Sequence, residues 1–275
     1  WVGHDLEAFL EKAIDSVALN ARSIALSDAH GLTKIKFREG GSFDAHAHDE
    51  HNDHDDHDKH DDHDKHDDHD DHDDHDKHDD HDKHDDHDDH DKHDDHDDHG
   101  HEGYDPHVWL DPENAKALIH EIEEALVAAD PENAATYERN AEAMMGKLDA
   151  LITEIDAELE PVKGKGYVVF HDAYQYFERR FGVSAVGSIT VSPEILPGAK
   201  RVSELQEKVK SLDATCVFSE PQFEPKLVTT ITENTTARTG VLDPLGASME
   251  SGPGLYFTLI RTMAHSLKDC LLGKS

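Results

Sequence analysis

The chain has 275 residues, a formal net charge of -37 and a mean hydropathy of -0.78. A surface so acidic repels nucleic acid and anionic membrane and favours cations as partners, and no apolar run reaches the roughly 18 residues of a membrane span. Much of the charge is local, because residues 44–101 hold 29 Asp or Glu against 5 Lys, which leaves -13 on the rest.

In chain order, Asp5 to Val17 carries Leu6, Phe9, Leu10, Ala13, Ile14 and Val17 at helical spacing, with Asp5 as the expected N-cap. Trp1-Val2-Gly3 before it reads as the last turn of a strand, and the absence of an initiator methionine leaves the question of a leader peptide open. A weaker pattern runs from Arg22 to Lys36, with a turn around His30-Gly31.

Composition then changes completely. A histidine falls at every third position, at His48, His51, His54, His57, His60, His63, His66, His69, His72, His75, His78, His81, His84, His87, His90, His93, His96 and His99. An α-helix of about 3.6 residues per turn spreads these around its surface, and long 3₁₀ runs are rare. Polyproline II, at about three residues per turn, aligns them with no internal hydrogen bonds to satisfy. The segment is therefore expected to be extended, self-repelling and disordered. Its imidazoles and carboxylates suit metal binding with little selectivity among zinc, copper and nickel; the alternative is a repeat expansion tolerated for its solubility.

Order returns at Tyr104-Asp105-Pro106-His107-Val108-Trp109-Leu110-Asp111-Pro112. Asp111 is the expected cap of a helix with Pro112 at its first position and an apolar face of Ala115, Leu118, Ile119, Ile122, Ala125 and Leu126. Asp130-Pro131 opens another helix that reaches Glu160. At about 45 Å it is longer than one lobe needs, which suits a spine joining two.

After a Gly-Lys-Gly turn, Tyr167 to Phe170 reads as a buried strand, with His171 at its carboxyl end. In open α/β sheets that edge is where ligands bind. The imidazole is there either a metal ligand or a structural cap of the next helix. The remainder alternates: strand 183–190, helix 199–209, strand 215–218, helix 225–236, strand 240–242 and helix 256–272, a βα series with a mostly parallel sheet. Glu220, before Pro221, reads as the cap of a turn rather than a ligand, and Asp243, before Pro244, as a ligand or a turn aspartate. Cys216 and Cys270 match no clustered metal motif and are equally what two buried thiols would give.

His107, His171 and Asp243 form a zinc-type set of two imidazoles and a carboxylate that lacks one ligand. Around them stand Asp-Pro-His-Val-Trp-Leu-Asp-Pro, Val-Phe-His-Asp-Ala-Tyr, Ser-Pro-Glu-Ile-Leu-Pro-Gly, Phe-Ser-Glu-Pro-Gln-Phe and Leu-Asp-Pro-Leu-Gly, in that order. With these motifs the chain resembles the periplasmic zinc-binding proteins of high-affinity zinc ABC importers, the ZnuA-type members of the metal-binding solute-binding protein family.

The resemblance implies an α/β fold of two βα lobes with mostly parallel sheets, bridged by one long helix, with a metal cleft between the lobes. Residues 1–43 and 102–130 would then belong to the N-terminal lobe, 44–101 to a disordered His/Asp-rich loop, 131–160 to the linking helix and 161–275 to the C-terminal lobe. His107 and His171 are implied as zinc ligands, and Asp243 as a ligand or close neighbour. The family's first ligand histidine lies in an N-terminal Pro-His motif ahead of Trp1, so the first lobe is expected to be incomplete as numbered.

The function implied is capture of zinc in the periplasm and delivery to the membrane permease of an ABC importer, with the His-rich loop as an auxiliary collector. The protein is expected to be a monomer, to have no nucleic-acid partner and not to be an enzyme. A manganese or iron carrier of the same fold is disfavoured by His171, since imidazole suits zinc better than manganese. A zinc hydrolase lacks a nameable general base, and a histidine-rich metal buffer would leave His107 and His171 dispensable. In an exported protein Cys216, on a strand, and Cys270, on the last helix of the same lobe, are expected to form a disulfide worth about 4 kcal/mol.

Overall fold

The computed structural model describes residues 1–17, 20–38, 103–190, 198–211, 215–223 and 226–274. The repeat from His48 to His99, its expected polyproline II form, and all but the last residue of the Ser192–Gly198 motif lie outside the described residues. The chain divides into one unit of Trp1–Ala45 and Glu102–Ser275 and another of His46–His101, and every described residue belongs to the first.

Among the described residues the β-branched and aromatic runs become four parallel strands, β1 (Tyr167–His171), β2 (Ala185–Thr190), β3 (Cys216–Ser219) and β4 (Arg238–Val241), in the order β2-β1-β3-β4. Among the described residues seven α-helices accompany them: α1 (His4–Val17), α2 (Pro112–Ala129), α3 (Ala134–Leu159), α4 (Gln175–Phe181), α5 (Ala199–Ser211), α6 (Lys226–Thr232) and α7 (Leu255–Leu272). The expected βα alternation after residue 161 is present, with ends shifted by a few residues.

All five residues of β1 are buried, as a strand covered on both faces must be. Tyr167 and Val169 enter one core with α3, α4 and α7, whereas Val168 and Phe170 enter another with α5 and α6. Being odd-numbered, His171 shares the side of Tyr167 and Val169. Glycine at residue 240 of β4 leaves room for the ring of its partner Phe218 on β3; a Cβ there would lie 2.5 Å from Phe218 Cε1. The expected disulfide is formed, and Cys216 of β3 is joined to Cys270 of α7.

α3 follows a 3₁₀ turn at Pro131–Asn133 and gives way to another at Glu160–Val162. Its second half buries Leu148, Leu151, Ile155 and Leu159 in the core shared with α7, while α2 packs along it. α2 has Asp111 as its cap, accepting from the Glu113 N–H at 2.9 Å, and Pro112 at its first position. Its apolar face is only partly used, because Ala115 is buried while Ile122 and Leu126 are 42% and 41% exposed.

The first 17 residues depart from expectation. α1 begins at His4, so Asp5 lies in the first turn rather than at the cap, and Glu7 reaches back to accept the Val2 N–H at 2.6 Å. Trp1–Gly3 is not a strand; the Trp1 and Val2 carbonyls accept from Leu26 and Ser27 of a 3₁₀ turn at Leu26–Asp28. α1 buries no residue.

The chain on either side of residues 39–102 is paired. Lys36 makes an antiparallel bridge with Tyr104, and the Asp105 N–H donates to the Ile35 carbonyl at 2.8 Å. Among the described residues no helix is long and apolar enough to cross a membrane.

Candidate metal centre

Strand order decides what meets at the sheet's carboxyl edge. β1, β3 and β4 are successive neighbours, so the residues at and after their ends, His171, Glu220 and Asp243, follow one another along that edge. His171 is 8% exposed and Glu220 3%. Glu220 Oε1 lies 3.3 Å from the His171 main-chain nitrogen and 2.6 Å from its Nδ1, accepting from both. The turn that Glu220 was expected to cap is closed instead by its main-chain carbonyl, which accepts the Phe223 N–H at 3.1 Å. That frees the side chain to face inward.

His107 precedes a 3₁₀ turn at Val108–Leu110 and is held in the same manner. Asp105, fully buried, accepts on Oδ1 both the His107 N–H at 3.0 Å and the His107 Nδ1–H at 2.6 Å. Its Oδ2 accepts from Gln175 Nε2 at 3.0 Å, and its main-chain carbonyl from the Tyr176 hydroxyl at 2.8 Å.

Because a carboxylate oxygen only accepts, each ring proton is drawn to Nδ1 and each Nε2 is left as a lone pair. The two Nε2 atoms are 3.4 Å apart. Two lone pairs at that distance cannot bond to each other, but they can bond to a cation between them. Tetrahedral zinc with Zn–N bonds of about 2.0–2.1 Å separates two ligand nitrogens by about 3.3–3.4 Å. A carboxylate behind each ligating imidazole is also the recurrent outer support of metal-bound histidines.

Aromatic rings wall the pair. The Trp109 ring lies 5.3 Å from that of His107, and Phe223, stacked on Phe170, lies 6.2 Å from His171. Trp109 Nε1–H donates to the Pro244 carbonyl at 3.0 Å, which ties the His107 segment to the loop carrying Asp243. Tyr174 is buried beside Glu220, and burial first, then the Glu220 charge, holds its hydroxyl well above its ordinary pKa and hence neutral.

Asp243 is engaged within its own loop. Its Oδ1 accepts from Gln222 Nε2 at 3.1 Å and from the N–H groups of Leu245 at 3.2 Å and Gly246 at 2.8 Å. Oδ2 accepts from the Ser248 N–H at 3.3 Å and its hydroxyl at 3.4 Å. Gly246, at φ +70°, supplies the left-handed turn that closes this loop. Burial works to raise the carboxyl's pKa, yet the loop amides and Gln222 hold it below the usual range. Of the three residues singled out from the sequence, the structure thus brings His107 and His171 together. Among the described residues no group of three His, Cys, Asp or Glu side chains is arranged to hold a metal ion.

Of the residues of the centre, the sequence did not single out Asp105, and it gave Glu220 the role of a turn cap. Asp105 carried a signal, a carboxylate two residues before a histidine at a helical start. Glu220 becomes recognisable only when β3 is known to lie beside β1.

A family model described as ZnuA, zinc-uptake complex component A, periplasmic, matches residues 1–270. The chain is 58% identical to the high-affinity zinc uptake system protein ZnuA of Brucella abortus (strain 2308), over 98% of this chain and 75% of that protein. It is 34% identical to the protein of the same name from Yersinia pestis, over 98% of this chain and 74% of the relative. The crystal structure of ZnuA superposes with a TM-score of 0.54 at 29% identity, covering 61% of this chain and 60% of that one. The chain therefore spans about three quarters of these two relatives and less than two thirds of the solved chain.

Proposed function

Because the chain belongs to the family of ZnuA, the periplasmic component of zinc-uptake complexes, we propose that it captures zinc on Nε2 of His107 and of His171 and passes it to the membrane permease of an ABC importer. One observation carries this reading: two Nε2 lone pairs 3.4 Å apart, each backed by a buried carboxylate at 2.6 Å from Nδ1. Neutral imidazoles in such a pair favour zinc over manganese, which prefers oxygen donors.

Zinc is cargo here, so it has to leave as well as bind. Aqueous zinc enters by exchanging water for the two imidazoles, and the fixed charge of Asp243 lies in the loop joined to His107 through Trp109 and Pro244. Direct ligation by Asp243 would cost bonds it already makes within its loop. Its nearer role is to attract the cation, with ligation as the alternative. The repeat from His48 to His99 acts as a low-affinity collector, the protein works as a periplasmic monomer without nucleic acid, and its task is carriage rather than catalysis.

Competition between the full chain and a strong zinc chelator tests this reading. His107→Ala and His171→Ala are each expected to remove the tightest phase of zinc binding while the weak, multi-site phase of the repeat persists. Retention of the tight phase in either variant would overturn the assignment.

A further inference from the structure

We propose that Arg38 is a positioning residue of the zinc centre, the counter-charge that keeps the two histidine-bearing segments at ligating distance. The inference rests on the zinc reading above and extends it to a residue that touches neither imidazole.

Arg38 is the last described residue before residues 39–102, and its guanidinium is forked between two buried carboxylates. Nε donates to Asp172 Oδ1 at 3.1 Å and Oδ2 at 3.0 Å, and Nη2 donates to Oδ1 as well. Nη1 donates to Glu178 Oε2 at 2.9 Å and Nη2 to Glu178 Oε1 at 3.2 Å. The side chains of Asp172 and Glu178 are 4% and 6% exposed. Asp172 directly follows His171, and Glu178 lies on α4.

The same short stretch supports the other histidine. Gln175, between Asp172 and Glu178, donates to Asp105 Oδ2, and Tyr176 donates to the Asp105 carbonyl while accepting the Ile35 N–H at 3.0 Å. Residues 172–178 therefore continue directly from His171, whose carbonyl accepts the Ala173 N–H, and hold the support of His107 through Asp105. Two buried carboxylates with one guanidinium between them remain where they are only while that guanidinium is present. Without it the two like charges face each other uncompensated and turn toward water, which moves the segment that holds Asp105 and with it the 3.4 Å separation of the nitrogens. Lysine is a poor substitute, since a point charge cannot reproduce a planar fork onto two carboxylates.

A cavity of about 260 Å³, lined in part by Arg38, Gln175 and Glu178, adjoins the fork. Guanidinium added to an Arg38→Ala protein can occupy the space the side chain leaves, so chemical rescue separates a lost charge from a misfolded chain. The experiment is chelator competition with zinc on the full chain, comparing wild type, His171→Ala, Arg38→Lys, and Arg38→Ala with and without guanidinium at tens of millimolar. Removal of support behind a metal-bound histidine typically weakens binding by about 10–100-fold. Arg38→Ala is expected to weaken the tight phase within that range, Arg38→Lys to weaken it less, and guanidinium to restore several-fold affinity to Arg38→Ala but none to wild type. If His171→Ala abolishes the tight phase while both Arg38 variants keep wild-type affinity, the role given to Arg38 is wrong and the zinc reading stands. If His171→Ala itself keeps the tight phase, the zinc reading fails. Should Arg38→Ala not fold, unchanged affinity in Arg38→Lys alone overturns the proposal.

Discussion

The two imidazoles of the centre are supplied by unequal parts of the molecule. His171 ends a strand buried along its whole length, between two cores, in a half of the chain that a disulfide also joins. His107 sits on an irregular segment whose position depends on side-chain bonds to that half: Asp105 through Gln175 and Tyr176, and Trp109 through Pro244 and Tyr256. One ligand is fixed by a core strand, and the other by hydrogen bonds onto that core together with the burial of its neighbours Val108 and Leu110. Changes to the core of the C-terminal half should therefore cost stability, and changes to the bonds around His107 should cost zinc affinity.

The largest expected effect lies on the first side. Replacing Cys216 and Cys270 by serine opens a cross-link across a 54-residue separation, and on the chain-entropy estimate this lowers stability by about 4 kcal/mol. Urea unfolding is expected to show that loss while zinc affinity of the folded variant stays near wild type. A large loss of affinity with little loss of stability would break the contrast.

The second expectation sharpens it. Asp105→Asn and Glu220→Gln both weaken the support of an imidazole, for which about 10–100-fold in metal affinity is typical. Asp105→Asn should lie near the upper end, because Asp105 accepts on both oxygens and an amide would set an N–H against Gln175 or His107. Glu220→Gln should lie near the lower end, because β1 holds the His171 backbone independently. Calorimetric zinc titration of the two variants, showing equal losses or the reverse order, would remove the distinction.

The third expectation is a pH drift. Burial raises Glu178 from 4.5 to about 7 in spite of Arg38. A carboxyl whose native pKa lies above its unfolded one binds its proton more tightly when folded. Its contribution to stability is full below about 4.5, declines as pH rises and is lost above about 7. Unfolding free energies of wild type and Glu178→Gln are therefore expected to diverge across that window, by up to about 3 kcal/mol, with the glutamine variant gaining relative stability as pH rises. A difference independent of pH would contradict the assignment.

The C-terminal half was legible because its strands are short β-branched and aromatic runs set between helical patterns, as at Tyr167–His171 and Cys216–Ser219. His171 was singled out because an imidazole stood at a strand end, and His107 because of the motif from Asp105 to Pro112 that follows the acidic repeat. Their meeting depends on tertiary bonds that no local pattern encodes. Glu220 was misread for the same reason: Pro221 announced a turn correctly, but which way the carboxylate faces depends on strand order. Asp5 was misread because the helix starts earlier, with the Gly3 carbonyl accepting the Leu6 and Glu7 N–H groups. The apolar face of α2 was visible, yet Ile122 and Leu126 stand largely open, so periodicity marked a face without saying how much of it is covered.

The central claim is that zinc is held on Nε2 of both histidines, and anomalous diffraction at the zinc absorption edge from a zinc-loaded crystal of the full chain addresses it directly. The expected result is a single strong peak at about 2.0–2.1 Å from Nε2 of His107 and Nε2 of His171, with Nδ1 of each still on Asp105 and Glu220. A strong peak that bypasses either ring, or zinc bound through Nδ1 with the carboxylate displaced, would contradict it.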